Sequence, residues 1–367
     1  VTHRILQIIP TLDRSGAEKQ LTLLARHLTR PRWDVHVCAL TRGGPYEAEL
    51  RESGIPTTIL GKRWKADPAA YWRLARLIRR LRPRMVHTWL FAANAYGRAA
   101  AMQSGVPHVI ASERCVDPWK GWHELALDRW LAKRTQRIIT NSSGVQEFYA
   151  SKGIAPDKMI VIPNGIQLPP TPTASRADLL TELDLPSDAR LIGAVGRLWP
   201  QKRVKDLIWA ADLLKVLRDD VHLLVIGDGP LARKLRRFRD LIQIQDKVHF
   251  LGQRNDVARL MPHFDALWLA SSYEGMPNVV MEAMAFGVPV VATDIAGCRD
   301  LVVPERTGYL VPVGNRPMFA RCTQRILEDA ALAQRLGSAA RRRIAEHFTL
   351  EQMIQRHDDL YHEILND

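Results

Sequence analysis

Short runs of β-branched and other apolar residues alternate along this chain with longer stretches in which apolar positions recur at helical spacing. In the first half, residues 5–9, 35–40, 57–60, 85–87, 108–111, 137–140 and 159–162 read as short strands rich in β-branched and other apolar residues, of the kind found in parallel sheets. Between the first two, Leu21, Leu24, Ala25 and Leu28 fall on one face of a helix predicted over residues 17–28. A second series follows, with strands predicted at 191–195, 222–226, 247–251, 266–269, 288–292 and 308–311. Regular alternation of strand and helix predicts the α/β class, as two parallel sheets in tandem.

The rhythm breaks at Leu168-Pro169-Pro170-Thr171-Pro172-Thr173, because clustered prolines continue neither a helix nor an interior strand. We therefore expect an N-terminal domain over residues 1–168 and a C-terminal domain over 169–349. The apolar-periodic end, 350–367, is long enough to return to the first domain. A length of 367 residues with 46% hydrophobic content is enough for two separate cores.

Composition narrows the chemistry less than the pattern does. Cys38, Cys115, Cys298 and Cys322 form no CxxC pair, which argues against a disulfide framework or a zinc site and for a reducing, cytoplasmic setting. No apolar run approaches the roughly 18 residues that a membrane-spanning helix needs. A net charge of +13 favours acidic partners, whether polyphosphates, anionic lipid or nucleic acid, without choosing among them.

The strongest chemical signal is Ser271-Ser272-Tyr273-Glu274-Gly275-Met276-Pro277-Asn278-Val279-Val280-Met281-Glu282, which follows a buried-type strand. Pro277 suits a helix start, where its missing N–H costs nothing. The amides of Asn278 and Val279 would then stand at the positive end of a helix, at the carboxyl ends of the strands, where phosphate binds. Glu274 and Glu282 repel phosphate and need other partners, for which sugar and ribose hydroxyls are suitable. The plainer alternative makes Glu274 a helix cap and Glu282 a solvated helix residue. A second signal, Gly193-Ala194-Val195-Gly196-Arg197-Leu198-Trp199-Pro200-Gln201-Lys202, follows the first strand of the second series. Arg197 and Lys202 could stabilise the charge that develops on a departing diphosphate.

Arg197, Lys202 and the Glu274-x7-Glu282 element together resemble the donor site of family-4 retaining glycosyltransferases. The resemblance implies the GT-B fold: two Rossmann-like domains facing each other across a deep cleft, with the C-terminal helix returning to the N-terminal domain. The N-terminal domain would bind a glycan or lipid-linked acceptor and the C-terminal domain a nucleotide-diphosphate sugar, UDP-sugar before GDP-sugar. It implies that Arg197 and Lys202 bind the diphosphate, and that Glu274 with the loop amides from Gly275 to Asn278 holds the transferred sugar. Glu282 would hold the ribose, with the nucleobase against the backbone near Gln253 and Arg254. Ser15-Gly16-Ala17-Glu18 resembles the family's glycine-rich turn, where Gly16 would let backbone approach the phosphates. Many members carry a histidine after the fifth strand; here Glu113 stands at that place, as a polar contact to donor or acceptor or as a structural ion pair. His87 ends a strand directed to the same region, as a substrate contact or a satisfied core histidine. The family's same-face displacement needs no protein nucleophile, and the chain has no Asp-x-Asp motif suited to a divalent metal, so no obligatory metal or other cofactor is expected.

A further expectation concerns membranes. Tyr71, Leu74, Leu77, Ile78 and Leu81 share one face of a helix predicted over 70–81, while Arg73, Arg76, Arg79 and Arg80 lie elsewhere on it. Lys62, Arg63, Trp64 and Lys65, with Trp119, Lys120, Trp122, Arg129 and Trp130, add basic and aromatic residues. Such a helix suits an anionic membrane surface, and with it a peripheral place on the inner face of the cytoplasmic membrane. Three rivals carry less. Gly227-Asp228-Gly229-Pro230-Leu231-Ala232 fits a loose dinucleotide fingerprint, but no acidic residue ends the next strand. A sugar-nucleotide epimerase shares the architecture. A basic nucleic-acid-binding protein would need a reading motif that is missing here, so no nucleic-acid partner is expected.

Overall fold

The computed structural model describes residues 2–28, 31–168 and 175–366. They divide into two units, one running to Gly165 and resuming at Leu350, the other from Ile166 to Thr349. The first unit holds β1 (His3–Thr11), β2 (Trp33–Arg42), β3 (Thr57–Ile59), β4 (Met85–Trp89), β5 (His108–Glu113), β6 (Arg137–Thr140) and β7 (Met159–Val161). They form one parallel sheet in the order β3-β2-β1-β4-β5-β6-β7. Successive residues of β1 serve opposite faces, as the period of a strand requires. Ile5 and Ile9 join a core with Leu21 and Leu24, whereas Leu6 and Ile8 join another with Leu74, Leu77 and Ile78.

The C-terminal helix Leu350–Asn366 belongs to the first of those cores, through Leu350, Met353, Leu360, Tyr361 and Ile364. Each large apolar side chain fully buried contributes roughly 1.5–3 kcal/mol. The ion pair of the same helix, Arg32 to Asp358 at 3.0 Å, is half exposed on the arginine side, and such pairs contribute about 1 kcal/mol or less. Packing, not charge, therefore returns this helix to the first unit.

The second unit holds β8 (Arg190–Val195), β9 (Val221–Ile226), β10 (Val248–Gly252), β11 (Ala266–Leu269), β12 (Val290–Thr293) and β13 (Tyr309–Val311). Its parallel sheet runs β10-β9-β8-β11-β12-β13. Both sheets reverse their winding beside their first strand, at β1/β4 and at β8/β11. Loops leaving the carboxyl ends of the two strands at such a point flank a ligand crevice. In the second unit those loops carry residues 196–202 and 271–277.

Two expectations change. The change of unit comes earlier than the prolines suggest, because Ile166 already donates its N–H to Phe348 O at 3.0 Å, bridges Thr349 and is buried in the second unit's core. The proline run 169–173 lies outside the described residues. The helix predicted over 70–81 spans Pro68–Leu81, with Asp67 as N-cap, and buries Ala70, Leu74, Ala75, Leu77 and Ile78. Its apolar face packs into the core beside the sheet, and Pro68, Ala69, Trp72 and the arginine face are presented outward. Among the described residues, no helix is long and apolar enough to cross a membrane.

Candidate functional site

The loop after β8 is shaped by glycines on a neighbouring strand end. Gly227, at φ +135°, lies where a Cβ would stand 2.0 Å from Gly196 O. At Gly229 a Cβ would stand 2.8 Å from Leu198 O. This close approach lets Gly196 and Leu198 donate their N–H groups to Ile226 O and Asp228 O, both at 2.9 Å. The Gly-Asp-Gly segment that mimics a dinucleotide fingerprint therefore serves to seat the Arg197 loop. A short turn, Pro200–Lys202, then leads into the helix Val204–Leu217.

The loop after β11 closes against that turn. Ser272 donates its N–H to Gln201 O at 2.8 Å, and Gln201 Nε2 donates to Tyr273 O at 2.6 Å. Lys202 Nζ reaches Glu274 Oε1 at 2.5 Å, and Ser271 Oγ donates to the same oxygen at 2.7 Å. The Lys202 and Glu274 side chains are only 21% and 12% exposed. The chain then passes Gly275, Met276 and Pro277, all buried, and enters the helix Asn278–Phe286 with Pro277 as N-cap. The amides opening a helix have no acceptor within it, so those of Asn278 and Val279 face the loop with partial positive charge. Glu282 lies a turn further in and is partly buried. Gly297 supports the loop from below, since a Cβ there would stand 1.9 Å from Gly275 O.

The remaining residues expected at a donor site are placed less tightly. Arg197 is exposed and lies over the Trp199 ring, 5.5 Å from guanidinium to centroid. Gln253 and Arg254 follow the edge strand β10. The Arg254 side chain is held by Asp256 and Glu182 at 2.7–2.8 Å, and these bonds raise its pKa. What the pair offers a ligand is thus backbone and the exposed Gln253.

In the first unit, Gly16 is exposed and opens the helix Gly16–His27, next to Glu18, whose Oε1 accepts from Thr11 Oγ1 at 2.9 Å. Glu113 ends β5 but turns inward. Its Oε1 accepts from Asn94 Nδ2 at 2.9 Å, and its Oε2 lies 3.0 Å from the Tyr149 hydroxyl and 3.5 Å from Lys120 Nζ. Lys120 also binds Asp128 at 2.9 Å, which pairs with Arg98 at 2.7 Å. Burial pushes Glu113 up to about 7; Asp128 and Asp117 add to the rise and Lys120 opposes it. This geometry is that of a buried ion network.

His87 is a core residue. Gln7 Nε2 donates to the Tyr361 hydroxyl at 3.0 Å, so Tyr361 donates to His87 Nδ1 at 2.6 Å and the ring's Nε2–H is left for Ser112 Oγ at 2.8 Å. Burial lowers its pKa well below the usual value, which keeps the ring neutral. Neither nitrogen is left for a substrate, and His87 is not carried further as a binding residue.

Comparison with known proteins fits this arrangement. Residues 14–168 match the model of Glycosyltransferase Family 4, and residues 175–343 match that of Glycosyl transferases group 1. The UDP-Gal:alpha-D-GlcNAc-diphosphoundecaprenol alpha-1,3-galactosyltransferase of Escherichia coli is 26% identical, over 97% of this chain and 95% of its own. The GDP-mannose-dependent alpha-mannosyltransferase of Mycolicibacterium smegmatis is 30% identical, over 74% of this chain and 72% of its own. The chain is a family-4 glycosyltransferase. The crystal structure of Anabaena HepE in complex with UDP and glucose matches with a TM-score of 0.89 at 21% identity, covering 98% of this chain and all of the other, and shows the two-domain GT-B fold.

The enzyme is a hexosyltransferase, and several residues that hold the loop around Glu274 in place carry no chemical signature of their own. Gln201, Ser271 and Thr293, whose Oγ1 donates to Ser271 O at 2.7 Å, brace the loop around Glu274. Gly297 is the clearest omission from the sequence reading. A glycine in the first turn of a helix, as in Ala296–Leu301, can signal close approach in general, but what it approaches is set by the fold.

Proposed function

We propose that this glycosyltransferase moves a hexosyl group, with retention, from a nucleotide-diphosphate sugar to a hydroxyl of a glycan or lipid-linked acceptor in the synthesis of cell-surface polysaccharide or glycolipid. UDP-sugar is the preferred donor and GDP-sugar the second; the names of the two relatives mention UDP-Gal and GDP-mannose. The second unit binds the donor and the first unit the acceptor. The observation that carries this reading is the Lys202–Glu274 pair beside the amino end of the helix Asn278–Phe286.

Donor binding exchanges partners at that pair. Lys202 turns from Glu274 to a diphosphate oxygen, and Glu274 accepts instead from hydroxyls of the transferred sugar. Arg197 and the amides from Gly275 to Val279 share the diphosphate charge, and Glu282 accepts from the ribose. Gln253 and Arg254 line the base with backbone, and the turn at Gly16 lets backbone approach a phosphate. As the glycosidic bond breaks, negative charge grows on the leaving oxygen, which takes the proton of the acceptor hydroxyl as the new bond forms on the same face. Fixed cations and amides favour that state over the ground state. The Glu113 network shapes the floor of the acceptor region.

The deciding experiment incubates the protein with a panel of nucleotide sugars and records which raises the melting temperature and which releases nucleoside diphosphate when acceptor is added. Release should continue in excess EDTA, and loss of turnover there would count against the metal-free scheme. The exposed Trp64, Trp72, Trp119, Trp122 and Trp130 and the arginine face of Pro68–Leu81 support attachment to an anionic membrane surface. Equal flotation with neutral and anionic liposomes would remove that part of the proposal.

A further inference from the structure

Arg114 follows β5, at the carboxyl edge of the first unit's sheet, and is only 6% exposed. Of its guanidinium nitrogens, Nη2 donates to Asn164 Oδ1, whereas Nε and Nη1 are buried with no protein acceptor. Among the described residues no carboxylate pairs with it. The guanidinium carbon lies 5.0 Å over the Trp89 ring. Burial alone lowers its pKa to about 9, which leaves it charged at neutral pH. A buried, unpaired cation is among the costliest features a fold can carry. The Glu113 carboxylate, one residue away, is committed to Asn94, Tyr149 and Lys120. Around Arg114 the polar groups are neutral: Asn141 Nδ2 donates to its carbonyl at 3.0 Å, and His357, whose Nε2 is likewise buried without a partner, is kept neutral by burial.

We infer that Arg114 heads a subsite for a compact oxyanion, a phosphoryl or carboxylate group, at the carboxyl edge of the first unit's sheet. Each of the N–H groups left open, at Nε and at Nη1, can donate a charge-assisted hydrogen bond to an oxygen of such a group. That the oxyanion belongs to the acceptor rests on the reading of this unit as acceptor-binding; the diphosphate in the name of the Escherichia coli relative's acceptor is of the right chemistry.

The test uses the full chain with Lys202→Ala as background, which weakens the donor-site claim on phosphate. Calorimetric titration with inorganic phosphate, pyrophosphate and malonate should show a site that survives K202A and loses about tenfold or more in affinity when Arg114→Met is added. Arg114→Lys keeps the charge but not the several N–H groups of the guanidinium, and should lose several-fold. Tighter binding of the phosphates than of malonate assigns a phosphoryl source, and the reverse a carboxylate one. Equal affinity in K202A and K202A/R114M overturns the inference, as does equal affinity in K202A/R114K should the methionine variant fail to fold. Transfer of sugar is measured separately, so an oxyanion site without transfer would sink the proposed function and leave this inference standing.

Discussion

Lys202 Nζ and Glu274 Oε1 stand 2.5 Å apart, so cation and carboxylate neutralise each other before any donor binds. The two substitutions should therefore diverge in binding while agreeing in rate. Lys202→Ala removes the diphosphate contact and should weaken nucleoside diphosphate binding. Glu274→Gln releases Lys202 and should leave that binding equal or tighter. Both should lower turnover by about 100-fold or more, the scale for one well-placed electrostatic group. Titration with nucleoside diphosphate checks the pair, and equal weakening in both variants would refute the exchange of partners.

Arg197 offers a cleaner separation of stability from function. It is exposed and lies over the Trp199 ring, so Arg197→Ala should change stability by no more than about 0.5 kcal/mol. Diphosphate affinity and turnover should fall by roughly tenfold or more if the side chain reaches the leaving group. An unchanged affinity would exclude it from the site.

Gly297 touches no ligand in this scheme, yet its substitution should reach the chemistry. A Cβ at that position meets Gly275 O at 1.9 Å, backbone against backbone, and cannot be relieved by a rotamer change. Gly297→Ala should cost about 1–3 kcal/mol of stability, the range for overpacking. It should also lower turnover by displacing the Gly275 loop. Denaturant unfolding together with initial rates checks both, and wild-type kinetics in a destabilised variant would show that the loop absorbs the shift.

These cases mark where sequence sufficed. The strands were legible because those of a parallel sheet are buried on both faces, so runs such as 223–226 are continuously apolar. The Ser271 to Glu282 segment was legible because a helix opening beside carboxylates is a local pattern. The entry into the second unit at Ile166 was not, because a single-residue bridge to Thr349 leaves no periodic trace, whereas the prolines after it do. Nor could one sequence show that Gly297 lies under Gly275, or that Lys120, Asp128 and Tyr149 converge on Glu113. For His87 the sequence left a substrate contact and a satisfied core histidine both open, because its partners Tyr361 and Ser112 come from distant positions.

The Glu113 network makes a prediction whose sign is fixed. Its carboxyl is held at about 7 in the folded protein, against an ordinary value of 4.5, chiefly by burial. A group with a raised folded pKa favours the folded state below its unfolded value, and that advantage fades as pH rises towards the folded one. Wild type should therefore lose a contribution between about pH 4.5 and 7 that a glutamine at this position cannot lose. Glu113→Gln can accept from Asn94 through its oxygen, while Tyr149 turns its hydroxyl to Asp117 Oδ2, 3.0 Å away. The charged groups that face it, Asp117, Lys120, Asp128 and Arg98, are present in both proteins. The denaturant midpoint of E113Q relative to wild type should thus rise from pH 5 to pH 8. A difference that stays flat, or that falls as pH rises, would mean that Glu113 is ionised throughout and that Lys120 outweighs burial.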